Sequence, residues 1–224
     1  MTSSQGIDGR SKSSAVQEIV WGNVVRFSYA HMAAIYGLYR IIVEGRYDAA
    51  LFAFVYGTCG LIGITAGAHR LWSHRAYRAK WQLRLTLAVF ETMAFQNSIF
   101  DWARDHRVHH KFTETDADPH NAKRGFFFSH MGWLLMKKHP HIRERGKAVD
   151  LSDLRNDPIV MWQKKYYLLL MPVLAFVVPT WAQMHFFGCG FWTSWHISML
   201  RWILSLHMTW LVNSAAHLWG RRPY

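Results

Sequence analysis

Four stretches of the chain are apolar over the length of a bilayer. Residues 49–68, AALFAFVYGTCGLIGITAGA, carry no charge and are about as long as a crossing helix needs. Residues 166–184, YYLLLMPVLAFVVPTWAQM, are also uncharged; Pro172 and Pro179 would kink a helix there, which membrane helices tolerate. Residues 24–43 hold Arg26 and Arg40 near their ends, where long side chains can reach back to the interface. Residues 191–217 contain Arg201 and His207 within an otherwise apolar, Trp-rich run. A further segment, 81–100, is apolar on one side only and is interrupted by Arg84, Glu91, Gln96 and Asn97, which suits an interfacial amphipathic helix. The pattern predicts an all-α integral membrane protein with four transmembrane helices. It is read as one domain over 21–224, preceded by a polar, disordered tail over 1–20.

Composition supports this setting. Half of the 224 residues (51%) are hydrophobic and 16% are aromatic, a density that suits interfacial belts of Trp and Tyr. The formal charge of +12 is unevenly placed. Residues 69–165 hold 18 of the 26 Lys and Arg, the turn 44–48 holds only Arg46, and 185–190 hold none. The positive-inside rule therefore places 69–165, and with four spans both termini, in the cytosol. No soluble basic domain or nucleic-acid motif accompanies the charge, so nucleic acid is not an expected partner. Cys59 and Cys189 are too few and too far apart for a disulfide framework. The opening MTSSQGIDGRSKSS has no apolar core of a cleavable signal.

The candidate chemistry is histidine. His69 and His74, in GAHRLWSH, sit where the second span should end. On an uninterrupted α-helix they would stand about 140° apart, so they can face one site only if the helix ends or distorts between them. His106, His109 and His110 form H-x-x-H-H, with i, i+3 and i+4 on one helical face. The adjacent rings at 109 and 110 diverge by about 100° and so could serve two neighbouring metals. Asn213 and His217 in NSAAH are again spaced i, i+4, at the end of the last span. All three clusters fall on the same membrane face. Imidazole-rich, thiolate-free sites suit Fe, Zn, Cu or Ni, and more than four imidazoles suggest a dinuclear centre.

The blocks GITAGAHRLWSH, FQNSIFDWARDHRVHHKF, TDADPHNAKRGFFFSHMGWLL and TWLVNSAAHLWG closely resemble the membrane acyl-CoA desaturases of the stearoyl-CoA desaturase type, from about Trp21 onward. The resemblance implies a four-span protein of the endoplasmic reticulum membrane with a cytosolic helical cap carrying histidine boxes. Such a protein holds two Fe ions, takes electrons from cytochrome b5 and its reductase, and uses O2 to place a cis double bond in a fatty acyl-CoA. It implies His69, His74, His106, His109, His110 and His217 as metal ligands, with Asn213 acting through water. It also implies substrate contacts at Gln96, Asn97, Trp102, Arg104, Asp105 and Thr209, with Lys137 and Lys138 looking similar. The types make sense, since CoA phosphates call for Arg and Lys donors and a Trp can wall an apolar tunnel.

The sequence departs from that family in one respect. Desaturases of this type carry another H-x-x-H-H downstream of the NSAAH block, whereas this sequence has a single one and reaches Tyr224 soon after. His139 and His141, in KKHPHI, have the wrong spacing to replace it. No HPGG-type haem motif points to an in-chain cytochrome b5 domain. Three readings follow: an acyl-CoA desaturase; a catalytically silent, truncated desaturase-like membrane protein; and a histidine-box hydroxylase or related lipid oxidase, which the WARDH and NSAAH blocks disfavour. Under the second, residues 1–224 alone are expected to insert in the membrane but to hold metal poorly.

Overall fold

The computed structural model describes residues 17–219, which form helices joined by turns. Strand-like pairing among them is confined to the isolated Ile19–Met136 bridge. Residues 17–20 run beside 135–137: the Val20 N–H donates to Leu135 O and the Lys137 N–H to Glu18 O. These four residues are therefore fixed in place, while the rest of the expected polar tail, 1–16, lies outside the described residues.

Helix α1 (Trp21–Glu44) ends at Gly45 in the left-handed conformation and leads straight into α2 (Tyr47–Ile62). The second helix runs on as a π-helical stretch, Gly63–Ser73. A cap of shorter helices follows: α3 (Trp81–Ala94), α4 (Ile99–Phe112), α5 (Phe126–His130), α6 (Pro140–Gly146) and α7 (Ser152–Arg155). Helix α8 (Pro158–Pro172) passes through a π-helical turn, Val173–Val177, into α9 (Val178–Phe187). Then come α10 (Phe191–Asn213) and the short α11 (Ala215–Leu218).

Two helical stretches, Tyr47–Ser73 and Pro158–Phe187, are long and apolar enough to cross a membrane. Helices α1 and α10, of 24 and 23 residues, are also about 35 Å long. Their shared face explains why they pack so closely. Ala30, Ala33, Ala34 and Gly37 form a stripe of small residues, and Met199, Trp202, Ile203 and Leu206 fill it from α10. A Cβ on Gly37 would lie 2.3 Å from the His196 carbonyl oxygen, so the two backbones meet there. Small residues permit this close approach of the two backbones. The outward residues are apolar instead of polar: Met32, Ile35 and Ile42 on α1, and Leu204, Met208 and Val212 on α10 are exposed.

The arginine that interrupts the last apolar run faces inward. Arg201 is 4% exposed and donates from Nη1 to Met93 O at 3.2 Å and from Nη2 to Ala175 O at 2.6 Å. Four residues after Ala175 stands Pro179, which has no N–H to return to that carbonyl. The guanidinium thus satisfies a backbone oxygen that a proline leaves over, and its charge lies over the Tyr56 ring.

Helix α3 shows the one-sided pattern its sequence predicts. Trp81, Leu83, Leu85 and Val89 point outward, while Leu87, Ala88, Glu91 and Thr92 are buried. Burial pushes the Glu91 carboxyl well above its ordinary range, and Gln163 Nε2 donates to it at 2.8 Å. The same amide accepts from the Ile99 N–H, so one buried Gln ties α3 and α8 to the start of α4.

Candidate metal centre

The π-helical stretch settles how His69 and His74 can meet. An α-helix closes i to i+4, but here the His74 N–H donates to His69 O, five residues back, and Ser73 Oγ to Ala68 O. That wider turn puts residues five apart on one face. The two Nε2 atoms stand 3.0 Å apart. The end of the stretch is fastened from outside: Arg107 donates to Ser73 O and Trp72 O, carbonyls a helix end leaves unpaired. Asp153 in turn holds Arg107 through both carboxylate oxygens, at 2.8 and 2.6 Å.

Helix α4 starts at Ser98, which caps it by accepting from the Asp101 N–H. It delivers His106 and His110, one turn apart, to the His69–His74 pair. His106 Nε2 lies 3.0 Å from that of His74 and 3.0 Å from that of His110. The four ligand atoms all fall within 4.8 Å of one another. His109 turns elsewhere. Its Nδ1 pairs with Asp118 Oδ1 at 2.8 Å, and its ring lies 5.0 Å from His217 and 4.3 Å from His120. The three histidines of H-x-x-H-H thus divide between two adjacent groups.

The Asn213–His217 pair differs from the expected single helix. α10 ends at Asn213, Ser214 takes φ −108° and ψ −74°, and His217 belongs to the separate turn α11. Ser214 is buried and bridges the break, bonded to Trp210 O at 2.8 Å and to His130 Nδ1 at 2.9 Å. The i, i+4 spacing is present, but a break in the chain sets the direction of His217, not one helical face.

The donors fit a metal. His74 Nε2 faces two other Nε2 atoms at 3.0 Å, yet a neutral ring has one proton to give. Lone pairs so placed are stabilised by a shared cation, and nitrogens about 2.1 Å from one ion would stand near this separation. Burial, followed by repulsion from the neighbouring rings, depresses His106 to about 2 and His110 to about 4. Burial and His109 hold His120 at about 3. These rings are neutral at pH 7, the form that binds metal. Asp118 on His109 Nδ1 is the carboxylate partner that fixes a ligating ring's tautomer and direction.

A cavity of about 430 Å³ opens beside this cluster. His106 and Asn213 form part of its wall, together with Gln96, Asn97, Trp102, Asp105 and Thr209. Trp102 stacks on His106 at 4.8 Å, and Phe176, Trp195 and Met199 line apolar parts of the wall. Arg104 does not line the cavity; its guanidinium is shared between Asp101 and Asp105, each at 2.8 Å. Lys137 and Lys138 line a smaller recess next door, where Lys138 pairs with Asp105 and Lys137 with Glu18 at 2.5 Å.

Several residues of the site were not singled out in the sequence. Asn23 and Arg26 at the start of α1, and Trp210 on α10, line the cavity. Asp118 and His120 join His109 in a buried group. The DADPH segment, just after H-x-x-H-H, carries the type of carboxylate that orients ligating histidines, and this was a usable signal. Asn23 had none, because its place depends on α1 packing beside α10.

The fatty acid desaturase family model matches residues 48–224. The chain is 58% identical to the acyl-CoA Delta12-desaturase of Acheta domesticus, over 92% of this chain and 58% of that protein. It is 54% identical to the acyl-CoA Delta-9 desaturase of the same species, over 93% of this chain and 58% of that protein. With stearoyl-CoA desaturase 5 of Homo sapiens the identity is 50%, over the whole chain and 69% of the relative. The chain thus spans about three fifths of the length of the Acheta domesticus relatives. By these matches, and with its histidines gathered as described, the chain belongs to the fatty acid desaturase family.

Proposed function

We propose that the protein acts as an acyl-CoA desaturase in the endoplasmic reticulum membrane, introducing a cis double bond into a fatty acyl chain. The observation that carries this reading is the contact between His106 and Trp102, where a wall of the cavity meets the imidazole cluster. The relatives' names share the acyl-CoA and differ in the bond they specify, so the substrate class is what they support. Four spans, through α1, Tyr47–Ser73, Pro158–Phe187 and α10, fit the apolar outward faces of α1 and α10. The uneven Lys and Arg support a cytosolic side for the histidines, where cytochrome b5 could reach them.

Each part of the site has a task under this proposal. His69, His74, His106 and His110 would hold one iron, and His109 and His217 the other, with Asn213 through water. The irons would supply O2 activation and one-electron chemistry, using electrons from cytochrome b5 and its reductase. Trp102 and the apolar cavity wall hold the chain against the cluster and keep water away. Lys138, Asp105 and Arg104 form a charged edge suited to the polar head of CoA.

A second reading is acyl-CoA binding without turnover. The second group favours it, because it draws fewer imidazoles to one point than the first. Expression in a desaturase-deficient cell, with iron per chain and unsaturated acids measured, separates the two. Two irons and alkene product, both lost in His106→Ala, support the enzyme. Acyl-CoA binding with at most one iron and no alkene supports the binding protein.

A further inference from the structure

A second set of metal-ligating side chains lies on the outer surface of the cap. Asp116, His139 and His141 bring one carboxylate and two imidazoles together, with ligand atoms within 4.8 Å of one another. They come from two separate segments, and both are held. The loop bearing Asp116 is pinned by Asn121 Nδ2 to Thr115 O at 3.0 Å and by the Asp118 N–H to Thr115 O at 3.0 Å. His139 is the N-cap of α6, Pro140 starts the helix with its φ already set, and Ile142 anchors it with 8% exposure. The two rings are 4.7 Å apart at 71°.

The charges around this triad explain what it lacks. Asp116 makes no hydrogen bond or ion pair among the described residues. Lys137 pairs with Glu18 and Lys138 with Asp105, while Arg124 lies over the Phe128 ring at 3.5 Å and interacts with Asp116 through charge. The Asp116 carboxylate thus stands beside two imidazoles, with Arg124 acting on it through charge and not through a direct ion pair.

We propose that Asp116, His139 and His141 form a peripheral site for a borderline divalent cation, Zn2+ in the first instance, separate from the histidine cluster beside the cavity. Two imidazoles and a carboxylate are a zinc donor set, and water completes four ligands. His139 Nδ1 now accepts the His141 N–H at a long 3.3 Å. Ligation through Nε2 would move the ring proton to Nδ1 and replace that weak bond with a metal bond. The ion would join the loop after α4 to the start of α6. Asp118, two residues beyond Asp116, is on that loop and holds His109.

Zinc counting on the full chain in detergent tests this. The chain is stripped with chelator, equilibrated with Zn2+ and desalted before its zinc is measured. In a His69→Ala/His74→Ala background, which disables the inner cluster, adding His141→Ala should remove one zinc per chain. Asp116→Asn, on the other segment, should weaken the same ion at least tenfold, with helical circular dichroism unchanged. An unchanged zinc count on adding His141→Ala overturns the proposal, as does full-strength binding in Asp116→Asn.

Discussion

His69 and His74 are five residues apart, and their Nε2 atoms lie 3.0 Å from each other because the backbone between them is π-helical. The wide turn is thus part of the site. Inserting one alanine between Arg70 and Leu71 should rotate His74 away by about 100° per added residue. Iron or zinc content should drop by at least one ion per chain, while the helical signal stays. Full metal content in the insertion variant would show that the turn is incidental.

His109 is aimed by Asp118, and this predicts a graded loss. Asp118→Asn keeps the shape but removes the charge from the carboxylate at His109 Nδ1. Loss of such an outer partner typically lowers metal affinity by about 10- to 100-fold. Chelator competition should show one class of ion weakened by that factor and the class bound by His69, His74, His106 and His110 unchanged.

The clamp of Arg107 by Asp153 gives a pH dependence with a defined sign. Burial alone would push the Asp153 carboxyl up, but hydrogen bonds and charge from Arg107 and Arg75 outweigh it and hold it below its ordinary value. A depressed carboxyl contributes stability that is present above the unfolded value, near 3.9, and is lost as pH falls through the folded one. Acid unfolding of the cap should therefore steepen below about pH 4. Asp153→Asn should be less stable at pH 7 and should flatten that limb. Because Arg107 holds the carbonyls of Trp72 and Ser73, the same variant should loosen His74 and lower metal content.

The buried amide of Gln163 gives a prediction of pure stability. It joins Glu91, Thr92 and the Ile99 N–H. Gln163→Leu keeps the bulk and leaves those groups without partners, a cost of about 1–3 kcal/mol for a buried polar group. Thermal unfolding should shift down accordingly. Glu91→Gln, which removes the charge that burial disfavours there, should be far milder.

These residues also show what could be read from the chain. Apolar runs and histidine spacing marked the long helices and six imidazoles, because periodicity and ligand chemistry are local. The π-helical turn was only implied, as the condition under which His69 and His74 could share a face. The break at Ser214 is not legible in the sequence, because the hydroxyl's partner there, His130, comes from α5, 84 residues earlier. Arg104 illustrates another limit. A basic residue beside a histidine box suggests a ligand contact, and the structure adds what the sequence does not show, that Asp101 and Asp105 share its guanidinium at the cavity's edge. Burial of a charge can depend on distant elements, and Arg201 shows this, since its partner is the Ala175 carbonyl, which Pro179 four residues on cannot serve.

Orientation is the remaining point that decides the proposed function. With four spans, the loops near 46 and 188 face one side, and the histidines with the cap face the other. The short loops carry almost no Lys or Arg, and 69–165 carry 18 of the 26. The rule is strongest for short loops, so the near absence of charge in 185–190 is the more telling number. A glycosylation acceptor placed in 185–190 should be modified in microsomes, and one placed in 140–157 should not. Basic residues in that second window, such as Arg143, Arg145 and Lys147, then lie in the cytosol. Adding two lysines to 185–190 should reduce modification there, if charge sets the orientation. Glycosylation confined to 140–157 would place every ligating histidine on the lumenal side, away from cytosolic electron donors, and would remove the proposed desaturase reading.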